Sequence, residues 1–178
     1  MTHLALLRGI NVGGKNALPM KELAQMFSEA GCTNVRTFIQ SGNVIFEAPG
    51  GAPKLGELVT AKIEKKFGYR VPIIVRTSEQ LLKTIRGNPF LKAGVDEKWL
   101  HVYFLADSPS ARAIAGLDPA RSAPDIFHAR GQEIYLHLPN GMARTKLTNA
   151  YFDSKLSTIC TARNWATVLK LSEMMRAQ

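Results

Sequence analysis

The sequence predicts an α+β protein made of two ferredoxin-like βαββαβ units, an internal duplication of architecture in which each unit is followed by one further helix. Three observations favour this fold class. Short β-rich runs alternate with amphipathic helical stretches, turns rich in glycine and asparagine separate neighbouring β-rich runs, and the same order of elements occurs twice along the 178 residues. The first predicted unit covers residues 1–87, the linker covers 88–98 and the second unit covers 99–178.

The first predicted unit begins with a strand that leads into the glycine-rich segment RGINVGGKN. Pro19 suits the first position of an amphipathic helix, and Gly31 can adopt the left-handed conformation that ends it. Thr77 and Gln80 have the spacing of a capping box, which predicts the start of the appended helix. The predicted elements are a strand over 3–7, a helix over 19–30, strands over 35–39 and 44–46, a helix over 55–67, a strand over 71–75 and a helix over 77–86.

The second predicted unit repeats this order of elements. Pro109, with Ser108 as its N-cap, restarts a helix as Pro19 does in the first unit. Arg130 and Gly131 form the turn of a second hairpin. The predicted elements are a strand over 101–107, a helix from Pro109, strands over 126–128 and 134–138, a helix over 147–156, a strand over 159–162 and a helix over 166–176.

The composition is that of a folded protein. Apolar residues make up 46% and charged residues 21% of the chain, which is ordinary for a globular domain. No apolar run approaches the roughly 18 residues that span a bilayer. The N-terminal segment MTHLALLRGINVGG lacks the basic stretch and cleavage site of a secretory signal. The sequence therefore predicts a cytoplasmic protein without a membrane partner.

The chain carries a strong excess of basic residues. Its formal net charge of +9 and its pI of 9.8 favour polyanionic partners such as nucleic acid. A solvated basic surface that binds no anion explains the charge equally well. Cys32 and Cys160 lie far apart and form no CxxC pair, so we expect buried thiols and no metal site. The histidines lack metal-ligand spacing, and the sequence indicates no cofactor.

The segment from Gly9 to Asn16 is nearly a nucleotide-binding P-loop. It fits the pattern G-x-x-x-x-G-K-[ST] except at Asn16, which replaces the hydroxyl residue that holds Mg²⁺. A P-loop also requires its helix to begin at the glycine-lysine step, whereas Pro19 delays the helix here. We therefore predict no P-loop, but a glycine-lined anion site flanked by Arg8 and Lys15. A plain turn that needs glycine for its dihedral angles is the alternative.

Uncharged polar side chains lie in the turn of the first predicted hairpin. Gln40, Ser41 and Asn43 supply donors and acceptors that could orient a ligand without adding charge. Turn chemistry explains the same residues without any ligand.

Cationic and amide side chains also occur at two predicted helix starts in the second unit. Lys146 and Asn149 flank the start of one helix, and Arg163 and Asn164 precede the other. Helix N-termini attract phosphate through N–H groups that have no intrahelical partner and through the helix dipole. Trp165 could stack on a base, and a core anchor is the alternative interpretation.

Four strings carry a resemblance that extends over nearly the whole chain. RGINVGGKN, FIQSGNVIF, RTKLTNAYFDSKL and RNWATVLKL occur in this order, and the chain resembles the domain-of-unknown-function family 1697 (DUF1697). The resemblance implies a small bacterial protein built on ferredoxin-like units, without an assigned activity. Similar proteins tend to carry asparagine where this chain has Ala166, which implies an altered site if that amide contacts a ligand. The positions that match the family's motifs are Arg8, Asn11, Gly13, Gly14, Gln40, Ser41, Gly42, Asn43, Lys146, Asn149, Arg163, Asn164 and Trp165.

The leading functional hypothesis is a binding module for a phosphate-bearing ligand, either a nucleotide or RNA bound without sequence specificity. In this hypothesis exposed cations contact phosphate, amide side chains orient the ligand, and both line one groove between the two units. The alternatives are a small transferase or hydrolase acting on a phosphorylated metabolite, and a protein-interaction module with a basic face. The sequence leaves catalysis and oligomeric state open. The candidate site residues are Arg8, Asn11, Gly13, Gly14, Lys15, Gln40, Ser41, Asn43, Lys146, Asn149, Arg163, Asn164 and Trp165.

Overall fold

A computed structural model describes residues 1–48 and 53–177 of the chain. The chain divides into two compact units, Met1–Leu82 together with Lys170–Gln178, and Lys83–Leu169. Within the described residues there are eight strands, six α-helices and two short 3-10 helices. The boundaries predicted at residues 87 and 99 stay a prediction, because compact packing does not test whether a segment folds independently.

The first half of the chain follows the predicted order of elements. It contains β1 (Thr2–Leu7), α1 (Met20–Glu29), β2 (Thr33–Phe38), β3 (Asn43–Glu47), α2 (Pro53–Phe67), β4 (Ile73–Thr77) and α3 (Ser78–Arg86). The second half repeats that order after 3-10 helices at Leu91–Ala93 and Glu97–Trp99. It contains β5 (Leu100–Leu105), α4 (Ala111–Ala115), β6 (Ile126–Arg130), β7 (Glu133–His137), α5 (Asn149–Leu156), β8 (Cys160–Asn164) and α6 (Trp165–Arg176).

Each half forms a four-stranded antiparallel sheet with the same strand order. The first sheet has the order β2-β3-β1-β4, and the second has the equivalent order β6-β7-β5-β8. In the first sheet β1 and β2 are joined through α1, while β3 lies between them and pairs antiparallel with both. The predicted α+β class is confirmed, and the equal strand orders agree with a duplicated α+β unit.

Each sheet packs its apolar side chains against helices. In the first unit α1 packs on α2 and β2, and the core contains Leu7, Phe27 and Phe46. In the second unit α5 packs on α4 and β8, and the core contains Tyr103 and Phe152. β1 is buried along its whole length, which explains why its sequence THLALL ends in four consecutive apolar residues and lacks the alternation of a half-exposed strand.

Two predicted helix starts differ from the structure. Pro19 has extended dihedral angles and serves as the N-cap, so α1 begins one residue later, at Met20. The predicted cap Ser108 is also wrong, because Ser110 is the N-cap of α4 and its Oγ accepts a hydrogen bond from the Ala113 N–H. The capping box at Thr77 and Gln80 is confirmed by reciprocal side-chain to backbone hydrogen bonds.

Candidate functional site

The glycine-rich loop after β1 contains a miniature hairpin. Val12 and Lys15 form an antiparallel bridge, and the Lys15 N–H donates a 3.0 Å hydrogen bond to the Val12 carbonyl oxygen. Gly13 and Gly14 form the turn, with φ of 58° and 73°, which is the left-handed pair of a type I′ turn. These positive φ values are those expected for the alternative interpretation, a turn that needs glycine for its dihedral angles.

Two asparagines hold this loop in a single conformation. The Asn16 side chain donates a 2.9 Å hydrogen bond to the Gly9 carbonyl oxygen. The Asn11 side chain accepts a 2.8 Å hydrogen bond from the Leu18 N–H and donates one of 2.9 Å to the Leu18 carbonyl. Both asparagines are left-handed, a conformation that asparagine tolerates better than most residues. The loop is therefore closed by its own side chains before any ligand arrives.

Asn11 also joins the loop to the hairpin turn between β2 and β3. Its Nδ2 donates a second hydrogen bond, of 2.9 Å, to the carbonyl oxygen of Gln40. Asn11 and Gln40 are both candidate site residues from the sequence, and the structure brings them into direct contact. The Asn11 side chain contacts only the backbone carbonyl of Gln40, and the Gln40 side chain is exposed.

The turn itself is stabilised by Asn43, which is buried. Its Nδ2 donates hydrogen bonds to the Phe38 carbonyl and to the Ser41 Oγ, at 3.1 and 3.0 Å. Gly42 packs so closely against β1 that a Cβ there would lie 2.6 Å from the Leu7 Cβ. Asn43 and Gly42 thus serve the turn, as the alternative interpretation predicted.

Ile39 departs from the sequence prediction. It was expected to end a strand, but β2 ends at Phe38 and Ile39 has a left-handed φ of 51°. This conformation is rare for a β-branched residue, because its Cβ crowds the following carbonyl. The side chain is 49% exposed. The close packing of Gly42 and the hydrogen bond to Gln40 determine the path of the turn and leave Ile39 with this backbone.

The two predicted cations of the first unit lie at either end of the loop. Arg8 is half-buried directly after β1, and its N–H donates a hydrogen bond to the Pro72 carbonyl. Lys15 is exposed on the hairpin, opposite Val12. An anion at the loop would meet Lys15 without moving any part of the fold.

Arg163 in the second unit differs from the expected exposed cation. It lies on β8 and is 7% exposed. Its guanidinium donates hydrogen bonds to the Thr161 Oγ1 and the Ala162 carbonyl, at 2.9 and 2.8 Å. Burial lowers the pKa of Arg163 to about 10, so the group keeps its charge at neutral pH. The expectation of exposure is wrong because the side chain folds back along its own strand.

The other residues at the start of α6 have identifiable structural contacts. The Asn164 side chain accepts a 2.8 Å hydrogen bond from the Thr167 N–H and caps the helix. Trp165 is 1% exposed, in agreement with a core anchor, and its Nε1 finds no hydrogen-bond partner among the described residues. Ala166 is exposed in the first turn, so an asparagine at this position would face outward.

Lys146 and Asn149 lie at the start of α5. The backbone of Lys146 is held at both ends, since its N–H donates to the Ser122 Oγ and its carbonyl accepts from the Arg121 Nε. Its side chain is exposed. The Asn149 carbonyl lies 3.8 Å from the Sγ of Cys160, which is a buried thiol as predicted.

Comparison with known proteins assigns the chain to a family. The family described as "Protein of unknown function (DUF1697)" matches residues 1–135, which is most of the chain. The chain belongs to the DUF1697 family. Its fold is similar to that of the conserved bacterial protein SP0830 from Streptococcus pneumoniae, with a TM-score of 0.75, 20% sequence identity and 98% of each chain covered. No curated protein is significantly similar to this chain.

The matched part of this DUF1697 protein includes the loop and turn residues from Arg8 to Asn43, whereas Lys146 to Trp165 lie beyond it. Within residues 1–48 and 53–177, no group of three or more His, Cys, Asp or Glu side chains could hold a metal ion. No helix in the same ranges is both long and apolar enough to cross a membrane. The predicted groove that joins the two residue groups stays a prediction.

Three features of the loop and turn were not predicted from the sequence. They are the clamp formed by Asn16, the exposed position of Val12 and the left-handed backbone of Ile39. The two asparagines within a glycine-rich segment were a usable signal, because asparagine often adopts left-handed conformations in turns. The backbone of Ile39 had no such signal, since isoleucine in a β-rich run favours a strand.

Proposed function

We propose that this protein binds a phosphate-bearing ligand, a nucleotide or RNA, at the glycine loop between β1 and α1. The observation that carries the proposal is the combination of a loop clamped by Asn11 and Asn16 with an exposed tip. Such a loop has already lost most of its conformational freedom, so a ligand would bind without a further ordering cost. Left-handed residues are concentrated in this loop: Gly9, Asn11, Gly13, Gly14 and Asn16.

The charge of the chain supports an anionic ligand. Lys15 is exposed on the loop and Arg8 lies at its base, within a chain of formal net charge +9. An ammonium group beside oriented backbone dipoles is a common environment for phosphate. In the full proposal the exposed Lys146 side chain, with Asn149, extends the site, whereas Arg163, Asn164 and Trp165 serve the fold and are left out of it.

We assign each half to the ferredoxin-like class. The support is the strand order β2-β3-β1-β4 with β1, α1 and β2 forming a split βαβ connection, repeated by β6-β7-β5-β8. Sheets of this class bind nucleic acid in several protein families, which is an analogy of fold and not an argument from the site. A cytoplasmic location, where nucleotides and RNA are available, belongs to the same proposal.

A titration with simple phosphates tests the proposal. Tm is measured in the presence of inorganic phosphate, pyrophosphate or adenosine 5′-monophosphate, because a ligand that binds the native state raises Tm by mass action. Saturation at about 100 times Kd would stabilise the fold by about 2.7 kcal/mol. We expect Lys15→Gln to weaken this effect for all three compounds.

Lys65→Gln is the matched control, since it removes the same charge from an exposed position on α2. If only the total charge matters, both variants weaken binding equally and the loop is not the site. If none of the three compounds raises Tm or gives heat on mixing, the proposed function is wrong.

A further inference from the structure

Two exposed apolar side chains lie beside the clamped loop. Val12 is 64% exposed and Ile39 is 49% exposed, although both are residues that usually contribute to a core. Val12 directly follows Asn11 and Ile39 directly precedes Gln40, so each is one residue from the same 2.9 Å hydrogen bond. The two exposed apolar side chains therefore lie on neighbouring segments of the first unit that a hydrogen bond fixes to each other.

The position of Ile39 disfavours a purely structural role. A left-handed β-branched residue costs of order 1–2 kcal/mol, and asparagine or glycine would avoid most of this cost. Burial of the side chain could offset the strain, but about half of Ile39 remains in water. Residues with a strained backbone are concentrated at active sites and at sites that contact ligands.

A cation accompanies the apolar pair. Val12 and Lys15 are directly opposite in the antiparallel bridge, so their side chains leave the same face of the miniature hairpin. A ligand that contacts the Lys15 ammonium and the apolar side chains together must carry an anionic group close to a weakly hydrated face. A free phosphate has the charge alone, whereas a nucleoside phosphate has a flat base one sugar away from its phosphate.

We infer that Val12 and Ile39 contact the base of a nucleoside phosphate whose phosphate meets Lys15, and that they set the preference of the site for nucleotides over other phosphates. This inference rests on the proposed function and specifies its ligand. The nucleoside phosphate is either a free nucleotide or the end of a single-stranded RNA, because both present the same base and phosphate. Ile39 is a specificity residue here, and its contact with the base explains why isoleucine occupies a position where the turn imposes a left-handed backbone.

The test compares ligands that differ only in the base. Isothermal titration measures Kd for inorganic phosphate, ribose 5-phosphate and adenosine 5′-monophosphate. We expect the nucleotide to bind about tenfold more tightly than ribose 5-phosphate, because the base buries apolar area of both aliphatic side chains. A 5′-phosphorylated decanucleotide of adenosine distinguishes the sources, since a steeper loss of its affinity with salt identifies RNA.

Two variants remove the apolar contact and keep the backbone. Val12→Thr preserves the β-branched shape, and Ile39→Asn suits the left-handed conformation. We expect both to abolish the advantage of the nucleotide over ribose 5-phosphate, while Ile39→Asn raises Tm. Leu58→Gln is the control, since Leu58 is 47% exposed on α2 and should leave every Kd unchanged.

The outcomes of these experiments distinguish the inferred base contact from the proposed phosphate binding. If ribose 5-phosphate and the nucleotide bind equally well, or if Ile39→Asn leaves the advantage of the nucleotide intact, the inference is wrong and phosphate binding stands. If no phosphate compound binds, both are wrong. Binding of polyglutamate in place of all phosphates, weakened by Ile39→Asn, would also overturn both and identify an acidic protein partner.

Discussion

The Asn11 side chain donates a 2.9 Å hydrogen bond to the carbonyl oxygen of Gln40, a residue 29 positions further along the chain. The same amide group accepts from and donates to the backbone of Leu18. One side chain therefore connects the end of β1, the start of α1 and the turn between β2 and β3. It holds this segment in place through hydrogen bonds to the backbone.

Replacing Asn11 with alanine should destabilise the first unit substantially. The variant loses three hydrogen bonds, worth about 1 kcal/mol each, and places alanine at a φ of 53°. We expect the free energy of unfolding to fall by about 2–4 kcal/mol in urea titrations. Asn34→Ala is the control, because Asn34 is also left-handed, at 50°, on an exposed bulge of β2. An equal loss in both variants would show that the clamp contributes nothing beyond the backbone effect.

Glycine substitutions should separate backbone strain from steric conflict. At Gly14 a Cβ would meet nothing within 4 Å, so Gly14→Ala should cost about 1 kcal/mol through its positive φ alone. At Gly42 a Cβ would lie 2.6 Å from the Leu7 Cβ, within a buried sheet. We expect Gly42→Ala to cost at least about 3 kcal/mol and to lower Tm far more than Gly14→Ala. Similar Tm values would contradict the close packing of the turn on β1.

The order of elements was predictable because it depends on local patterns. Glycine and proline punctuate the chain, and the Thr77 capping box needs only two side chains three residues apart. The clamp by Asn11 was not predictable, since its partner Gln40 is distant in sequence and accepts through its backbone. Asn11 was a candidate on other grounds, and the structure shows what its side chain does.

For Arg163 the prediction from the sequence, namely that the side chain is exposed, is wrong. A cation just before a helix start suggests an exposed anion site, and net charge gives no information on burial. The β8 register pairs Arg163 with Val102 of β5, a buried central strand, and so places it within the fold. The pairing of Arg163 with Val102, a residue distant in sequence, follows from the fold and cannot be deduced from the composition of one strand.

Removal of the Arg163 side chain should therefore reduce stability. Arg163→Ala deletes a buried side chain and its hydrogen bonds to Thr161 and Ala162, and we expect a loss of about 2–4 kcal/mol in unfolding free energy. Arg144→Ala is the control with the same change of charge at an exposed position. An unchanged Tm for Arg163→Ala would restore the sequence-based expectation of a cation held for binding.

Acid should destabilise the protein partly through His3. Burial lowers the pKa of this imidazole below its usual 6.5, so the folded state holds it neutral beside the ring of Phe46. Below pH 6.5 the unfolded chain binds a proton that the folded chain resists, and stability falls as pH falls. We expect His3→Gln to show a smaller loss of unfolding free energy between pH 7.5 and 5.5 than the unsubstituted chain. His128→Gln, at an exposed position, should keep the full loss.

A pair of lysine variants tests whether one ligand spans both groups of candidate residues. Lys15 lies on the loop of the first unit and Lys146 precedes α5 in the second, and both are exposed. If a single groove includes both, Lys15→Gln and Lys146→Gln should each weaken the binding of adenosine 5′-monophosphate by roughly three- to tenfold, as expected for loss of one exposed hydrogen bond worth about 1 kcal/mol. Tm without ligand should hardly change, because neither side chain is buried.

Lys155→Gln supplies the matched control in the second unit, where it removes one exposed positive charge at the end of α5. A general field effect would weaken binding equally in Lys146→Gln and Lys155→Gln, with a strong dependence on salt. A contact with the ligand affects Lys146→Gln alone and persists at higher ionic strength. If Lys15→Gln weakens binding and Lys146→Gln does not, the ligand is confined to the glycine loop and the proposed groove does not exist.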